Sequence, residues 1–194
     1  MDGEWFPRGV RANGNSPKEF VPAWRHVRSI FSRVGASNAT WVWCSYIDPN
    51  RRTNMRQLYP GKKFVDWTCL DGYNWGPRSP TNPHPARSFN KLFSDTYKRV
   101  TKEIAPRKPM VLAEVASSDY GVNKPAWIRS MFAKLLTRYP KVRGLIYFDV
   151  NDRDTHWPIE TSPNVVRKFS RGIAHRRYHR NRYAGITASP IPPP

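Results

Sequence analysis

A chain of 194 residues with 39% hydrophobic and 13% aromatic residues holds one packed domain or part of one, and it is not a low-hydrophobicity disordered chain. No apolar run reaches the roughly 18 residues of a membrane span, and no basic-then-apolar leader is visible, so neither a membrane partner nor a signal peptide is read here. Lys and Arg number 33 against 14 Asp and Glu, a net charge of +19, which suits either a nucleic-acid binder or a basic surface.

The second reading is preferred. Nine basic residues, counting His, fall between Arg167 and Arg182, so a tail inflates the total and no specific nucleic-acid partner is expected.

In chain order, Ser16-Pro17-Lys18-Glu19 reads as a capping box with Pro at the first helical position. Phe20, Trp24, Val27, Phe31 and Val34 recur at helical steps up to Gly35, and Pro22 should kink the helix or delay its start. Four nearly continuous apolar runs then read as strands buried on both faces: 39–45, 64–70, 109–115 and 143–150. Helical patterns lie between the later runs, at 88–104 on Phe89, Phe93, Tyr97 and Val100 and at 123–138 on Trp127, Met131 and Leu135. A last short helix starts at Ser162-Pro163. Alternation of this kind predicts an α/β fold with parallel strands. From residue 172 the sequence turns basic and then Pro-rich, so 172–194 is read as a solvated, disordered tail behind a folded 1–171.

Cys44 and Cys69 are too few for a metal site and are read as buried thiols, with a disulfide as the alternative. In parallel α/β folds ligands meet the carboxyl ends of the strands. There this sequence places Asp71-Gly72-Tyr73-Asn74-Trp75-Gly76, Glu114, and Asp149 with Asn151 and Asp152. The opening loop adds Asp2, Glu4, Trp5 and Phe6 on the same side. Acids beside aromatic plates suit sugars. Glu114 is the sharpest candidate, because a carboxylate on an otherwise apolar strand is costly unless partnered or used. Tyr73 or Tyr147 is placed to hydrogen-bond it, and a structural arginine is the competing partner. Trp41, Trp43 and Trp67 belong mostly to the core, whereas the loop tryptophans Trp5, Trp75 and Trp157 are expected outside it.

The ordered blocks MDGEWFP, EFVPAWRHV, TWVWC, YPGKKFVDWTCLDGYNWG, KPMVLAEV, AWIRSMF and RGLIYFDVN resemble the catalytic domain of glycoside hydrolase family 26, best known for endo-β-1,4-mannanases. The resemblance covers about residues 1 to 170 and implies the second half of a (β/α)8 TIM barrel, strands five to eight with the loop after the fourth. It implies a retaining glycosidase acting on β-mannan or a related β-glycan, without a cofactor, secreted in full-length form. By resemblance Glu114 is the nucleophile, Trp5 and Trp157 bind sugar, and Asp71 and Tyr73 organise the site. The family's general acid/base glutamate falls immediately ahead of the position of Met1. Glu4, four positions beyond it, is not taken as its substitute, and the chain alone is expected to lack turnover. Pro158 stands where the family often has an arginine after the tryptophan, which touches the preferred sugar.

Overall fold

The computed structural model describes residues 7, 9–10, 12–48, 54–80, 82–152 and 155–178. Trp5, Asp2, Glu4 and the part of the tail from 179 onwards lie outside the described residues.

Helix α1 (Pro17–Arg33) opens at Ser16, whose N–H donates to the Glu19 carboxylate at 3.0 Å and closes the capping box. Pro22 lies inside it and does not delay its start. Strands β1 (Val42–Tyr46) and β2 (Trp67–Asn74) follow. Helix α2 (Phe89–Lys98) tightens no further but widens into a π-helical turn, Arg99–Ile104. Then come β3 (Met110–Ser117), α3 (Lys124–Thr137) and β4 (Val142–Tyr147). A two-residue hairpin, β5 (Asn151–Asp152) with β6 (Thr155–His156), precedes α4 (Pro163–Ile173).

The first four strands form one parallel sheet in the order β1-β2-β3-β4, as the alternation of helix and strand in the sequence required. One face is covered. Trp43, Leu70, Met110, Leu112, Val115 and Val142 point into the core it shares with Phe89, Phe93, Ile128, Met131 and Phe132 of α2 and α3. Gly72 belongs to this face, where a Cβ would stand 2.8 Å from Phe93 and 2.9 Å from Ile47. The glycine lets the helix lie down on the strand.

The other face carries Cys44, Asp71, Tyr73, Val111, Gly144 and Ile146, and Ile146 at the β4 edge is 60% exposed. The first helix leaves Val27, Ile30, Phe31 and Val34 exposed beside the β1 edge.

A bulge in β3 decides what that second face presents. Leu70 pairs with Leu112 but Asp71 with Glu114, and on the other side Leu112 pairs with Leu145 but Val115 with Tyr147. One extra residue, Ala113, is thus accommodated against both neighbours. Side chains alternate along a strand, so in an unbulged strand position 114 would follow Leu112 into the helix layer. With the bulge, Glu114 emerges on the uncovered face in line with Asp71, while Val115 and Ser117 take the buried positions.

Beyond α4 the chain still packs. Arg177 donates to the carbonyls of Leu135, Pro140 and Val142, and the Tyr178 ring meets Phe132 edge-on.

Candidate active site

Asp71 and Glu114 are register partners at the carboxyl ends of β2 and β3. Sequence reasoning ended the second strand at residue 70. The structure carries it to Asn74, because Asp71 to Asn74 find backbone partners in 114–117. Gly and Asp there are poor strand formers, so pairing rather than propensity extends the strand.

The Tyr73 hydroxyl donates to the Glu114 carboxylate. Burial first, then this bond and the charges of Glu114 and Asp71, push the Tyr73 hydroxyl far above its ordinary range, so it stays a donor. Among the described residues no lysine or arginine forms an ion pair with Glu114, which is exposed on its face of the sheet. Of the two tyrosines proposed as its partner, only Tyr73 serves. Tyr147 lies in register with Val115 on the helix side, where its hydroxyl donates to the Ser117 carbonyl at 3.4 Å and its ring meets Phe169.

Rings gather around Tyr73. Tyr46 stacks on it at 6.4 Å between centroids, Phe148 meets it edge-on at 5.4 Å, and Trp157 and Trp75 stand at 5.2 and 6.0 Å. Trp157 also meets Trp75 edge-on at 4.9 Å. The expectation that loop tryptophans stay outside the core is corrected for Trp157, which is 1% exposed. Tyr73, Trp75 and Phe148 cover it and remain half-buried themselves. Trp75 is therefore the described loop tryptophan with ring surface to offer a ligand.

What holds the backbone at Trp157 is a residue that the sequence did not single out. Lys124, the first residue of α3, is fully buried, and its Nζ donates to the carbonyls of His156 (3.1 Å), Trp157 (2.9 Å) and Pro158 (2.7 Å). It also reaches Thr161 Oγ1 at 3.4 Å and Asp119 at 3.6 Å. Burial lowers its pKa, and the Asp119 charge opposes that shift. A lysine at a helix start reads as a solvated charge in the sequence, and nothing local announces the three carbonyls waiting 30-odd residues on. Asp149, also foreseen near the site, accepts the Ile159 N–H at 2.7 Å and helps shape the same loop.

Cys44 and Cys69 are register partners on β1 and β2 and are joined in a disulfide, with Cα atoms 4.4 Å apart. This corrects the reading of two thiols: adjacent strands place the two side chains together on the uncovered face. Asp71 Oδ2 lies 3.3 Å from the Cys44 sulfur. These three residues bring donor atoms within 4.8 Å of one another, but sulfurs bonded together offer no thiolate to a metal.

No family model matches the chain. It is 33% identical over 175 residues to Endoglucanase H of Acetivibrio thermocellus, a match over 89% of this chain and 19% of that protein. Its fold is similar to that of a Cellulomonas fimi endo-β-1,4-mannanase double mutant, with a TM-score of 0.67 and 20% identity over 90% of this chain and 39% of that one. It is also similar to a β-mannanase of glycoside hydrolase family 26 from Bacteroides ovatus, with a TM-score of 0.60 and 16% identity over 91% of this chain and 48% of that one. The chain thus spans about a fifth of the endoglucanase and less than half of either mannanase. Four parallel strands with their helices, matched at this coverage, are part of a (β/α)8 barrel.

Proposed function

We propose, from the premise that this chain is a partial (β/α)8 barrel of the glycoside hydrolase family 26 kind, that it carries the nucleophile side of a retaining β-glycan hydrolase acting on β-1,4-mannan. The observation that carries the reading is the Tyr73–Glu114 hydrogen bond on the open face of the sheet. A neutral phenol steadies one carboxylate oxygen and leaves the other free to attack. Because Tyr73 is held protonated, it stays a donor and keeps the carboxylate aimed.

In this reading Glu114 attacks the anomeric carbon and forms a glycosyl ester as the C1–O bond breaks. A second carboxyl group about 5–5.5 Å away protonates the departing oxygen and later takes a proton from the water that hydrolyses the ester. The resemblance puts that group just ahead of Asp2-Gly3-Glu4-Trp5. Asp71 orients the site beside Glu114, Trp75 and, by resemblance, Trp5 offer stacking planes, and Trp157 supports Trp75 from below. The mannanase structures favour mannan, and Endoglucanase H favours the broader class of β-glycans. The Cys44–Cys69 disulfide supports an exported protein.

Completing the barrel with the first four strand–helix units of the Cellulomonas fimi mannanase tests the reading. Mannan hydrolysis should be lost in Glu114→Ala, and added azide should partly restore cleavage by attacking C1 itself, releasing a glycosyl azide of inverted anomeric configuration. Hydrolysis indifferent to Glu114→Ala sinks it. Glycan binding without turnover is the second reading, favoured by the half-exposed rings of Tyr73, Trp75 and Phe148. It is distinguished by mannohexaose affinity that survives Glu114→Ala but falls in Trp5→Ala and Trp75→Ala.

A further inference from the structure

Three consecutive backbone carbonyls, those of His156, Trp157 and Pro158, converge on one point inside the protein. Carbonyl dipoles aimed together repel one another, and a chain holds such a curl only around a donor or a cation. The Lys124 ammonium occupies the point as a tethered cation. It has three protons to give, it has no solvent exposure, and Asp119 balances its charge from 3.6 Å away. The curl seats the Trp157 ring against Tyr73, and Tyr73 holds Glu114.

We infer that Lys124 is a positioning residue for the Glu114 centre: its ammonium curls residues 156–158 into the turn that presses Trp157 against Tyr73, and so fixes the hydroxyl that holds Glu114. The inference rests on Glu114 being the reacting carboxylate only for its catalytic meaning; the geometry of the clasp stands apart from that. It makes the start of α3, through the loop before α4, part of the machinery of β2 and β3. A sugar bound over Trp75 would sense the same loop, because Trp157 underlies both Trp75 and Tyr73.

The test uses the 194-residue chain labelled with 3-fluorotyrosine, with the Tyr73 fluorine signal assigned by its disappearance in Tyr73→Phe. Lys124→Met keeps the bulk and removes the cation. In this variant the Tyr73 fluorine signal at neutral pH should move toward the free-tyrosine position and show a larger shift between light and heavy water, as water reaches the ring and the bond to Glu114 loosens. Tyr139, buried against Phe89 and Tyr97 in the helix layer, is the reference and should not move. A shift common to both signals means general loosening and overturns the inference, as does an unmoved Tyr73 in a folded Lys124→Met chain. Asp119→Asn removes only the balancing charge at a partly exposed position. It should move the Tyr73 signal by a smaller amount, and if Lys124→Met does not fold, an unmoved signal here overturns the inference. The readout needs no turnover. A moved Tyr73 signal together with glycan hydrolysis that ignores Glu114→Ala would keep the clasp and remove the proposed function.

Discussion

The Tyr73 hydroxyl meets the Glu114 carboxylate across adjacent parallel strands, two residues beyond Asp71, the register partner of Glu114. Tyr73→Phe deletes the donor and keeps the ring. Its stability should fall by no more than about 1 kcal/mol, because the carboxylate is exposed. In a completed barrel kcat should fall roughly 10- to 100-fold, the equivalent of one charge-assisted hydrogen bond. Denaturant titration beside steady-state kinetics checks both, and a kcat within a factor of two of the parent would contradict the proposed role.

Alkaline pH should unfold the protein from its tyrosines. Tyr59, Tyr73, Tyr97, Tyr139, Tyr147 and Tyr178 all have their hydroxyls pushed above the ordinary range, with burial the first cause. The unfolded chain releases these protons near pH 10 while the folded chain keeps them. The folded state therefore binds more protons above about pH 10, and stability must fall as pH rises. Lys124, shifted down, acts in the opposite sense in the window below about pH 10.5. Urea midpoints followed from pH 8.5 to 11 should decline beyond about pH 10. Tyr73→Phe should show a shallower decline, and a flat profile would mean that the hydroxyls are not buried.

Much of this architecture could be read in the letters. Four apolar runs gave four strands, and Ser16, Ser88 and Ser162 each stand at the N-cap of a helix where the pattern begins. Local signals of that kind survive folding because they report on neighbours in sequence. Trp157 and Lys124 were opaque for the complementary reason. The burial of one and the partners of the other depend on loops more than 30 residues apart meeting over the end of the sheet. Cys44 and Cys69 lie between these cases: each strand was legible, but the register that sets them side by side was not.

Trp157→Ala should cost about 3–5 kcal/mol, as expected for a buried aromatic. Trp75→Ala should cost clearly less, since that ring is half-buried. In glycan-binding assays the order should reverse once stability is accounted for. Equal losses of stability in the two variants, read by thermal unfolding, would contradict the burial difference.

Opening the Cys44–Cys69 bridge releases a loop with a sequence separation of 25. On loop-closure entropy that should lower stability by about 3 kcal/mol. Cys44→Ala, Cys69→Ala and the double variant should lose similar amounts in chemical denaturation, and parent protein in dithiothreitol should match them. A parent insensitive to reductant would show that the bridge adds nothing to the fold.

Substitution can change what a strand position carries but never which side of the sheet it addresses. A bulge can, and at Ala113 it hands every later position of β3 to the side that plain alternation would deny it. Straightening the strand with Ala113 kept would leave each letter of the glutamate's neighbourhood intact and turn its carboxylate toward the helix layer instead of open space. Deleting the alanine, by contrast, sets the glutamate directly after Leu112 and keeps it on the open side, so among related sequences a single-residue gap at this point is compatible with a preserved reactive centre.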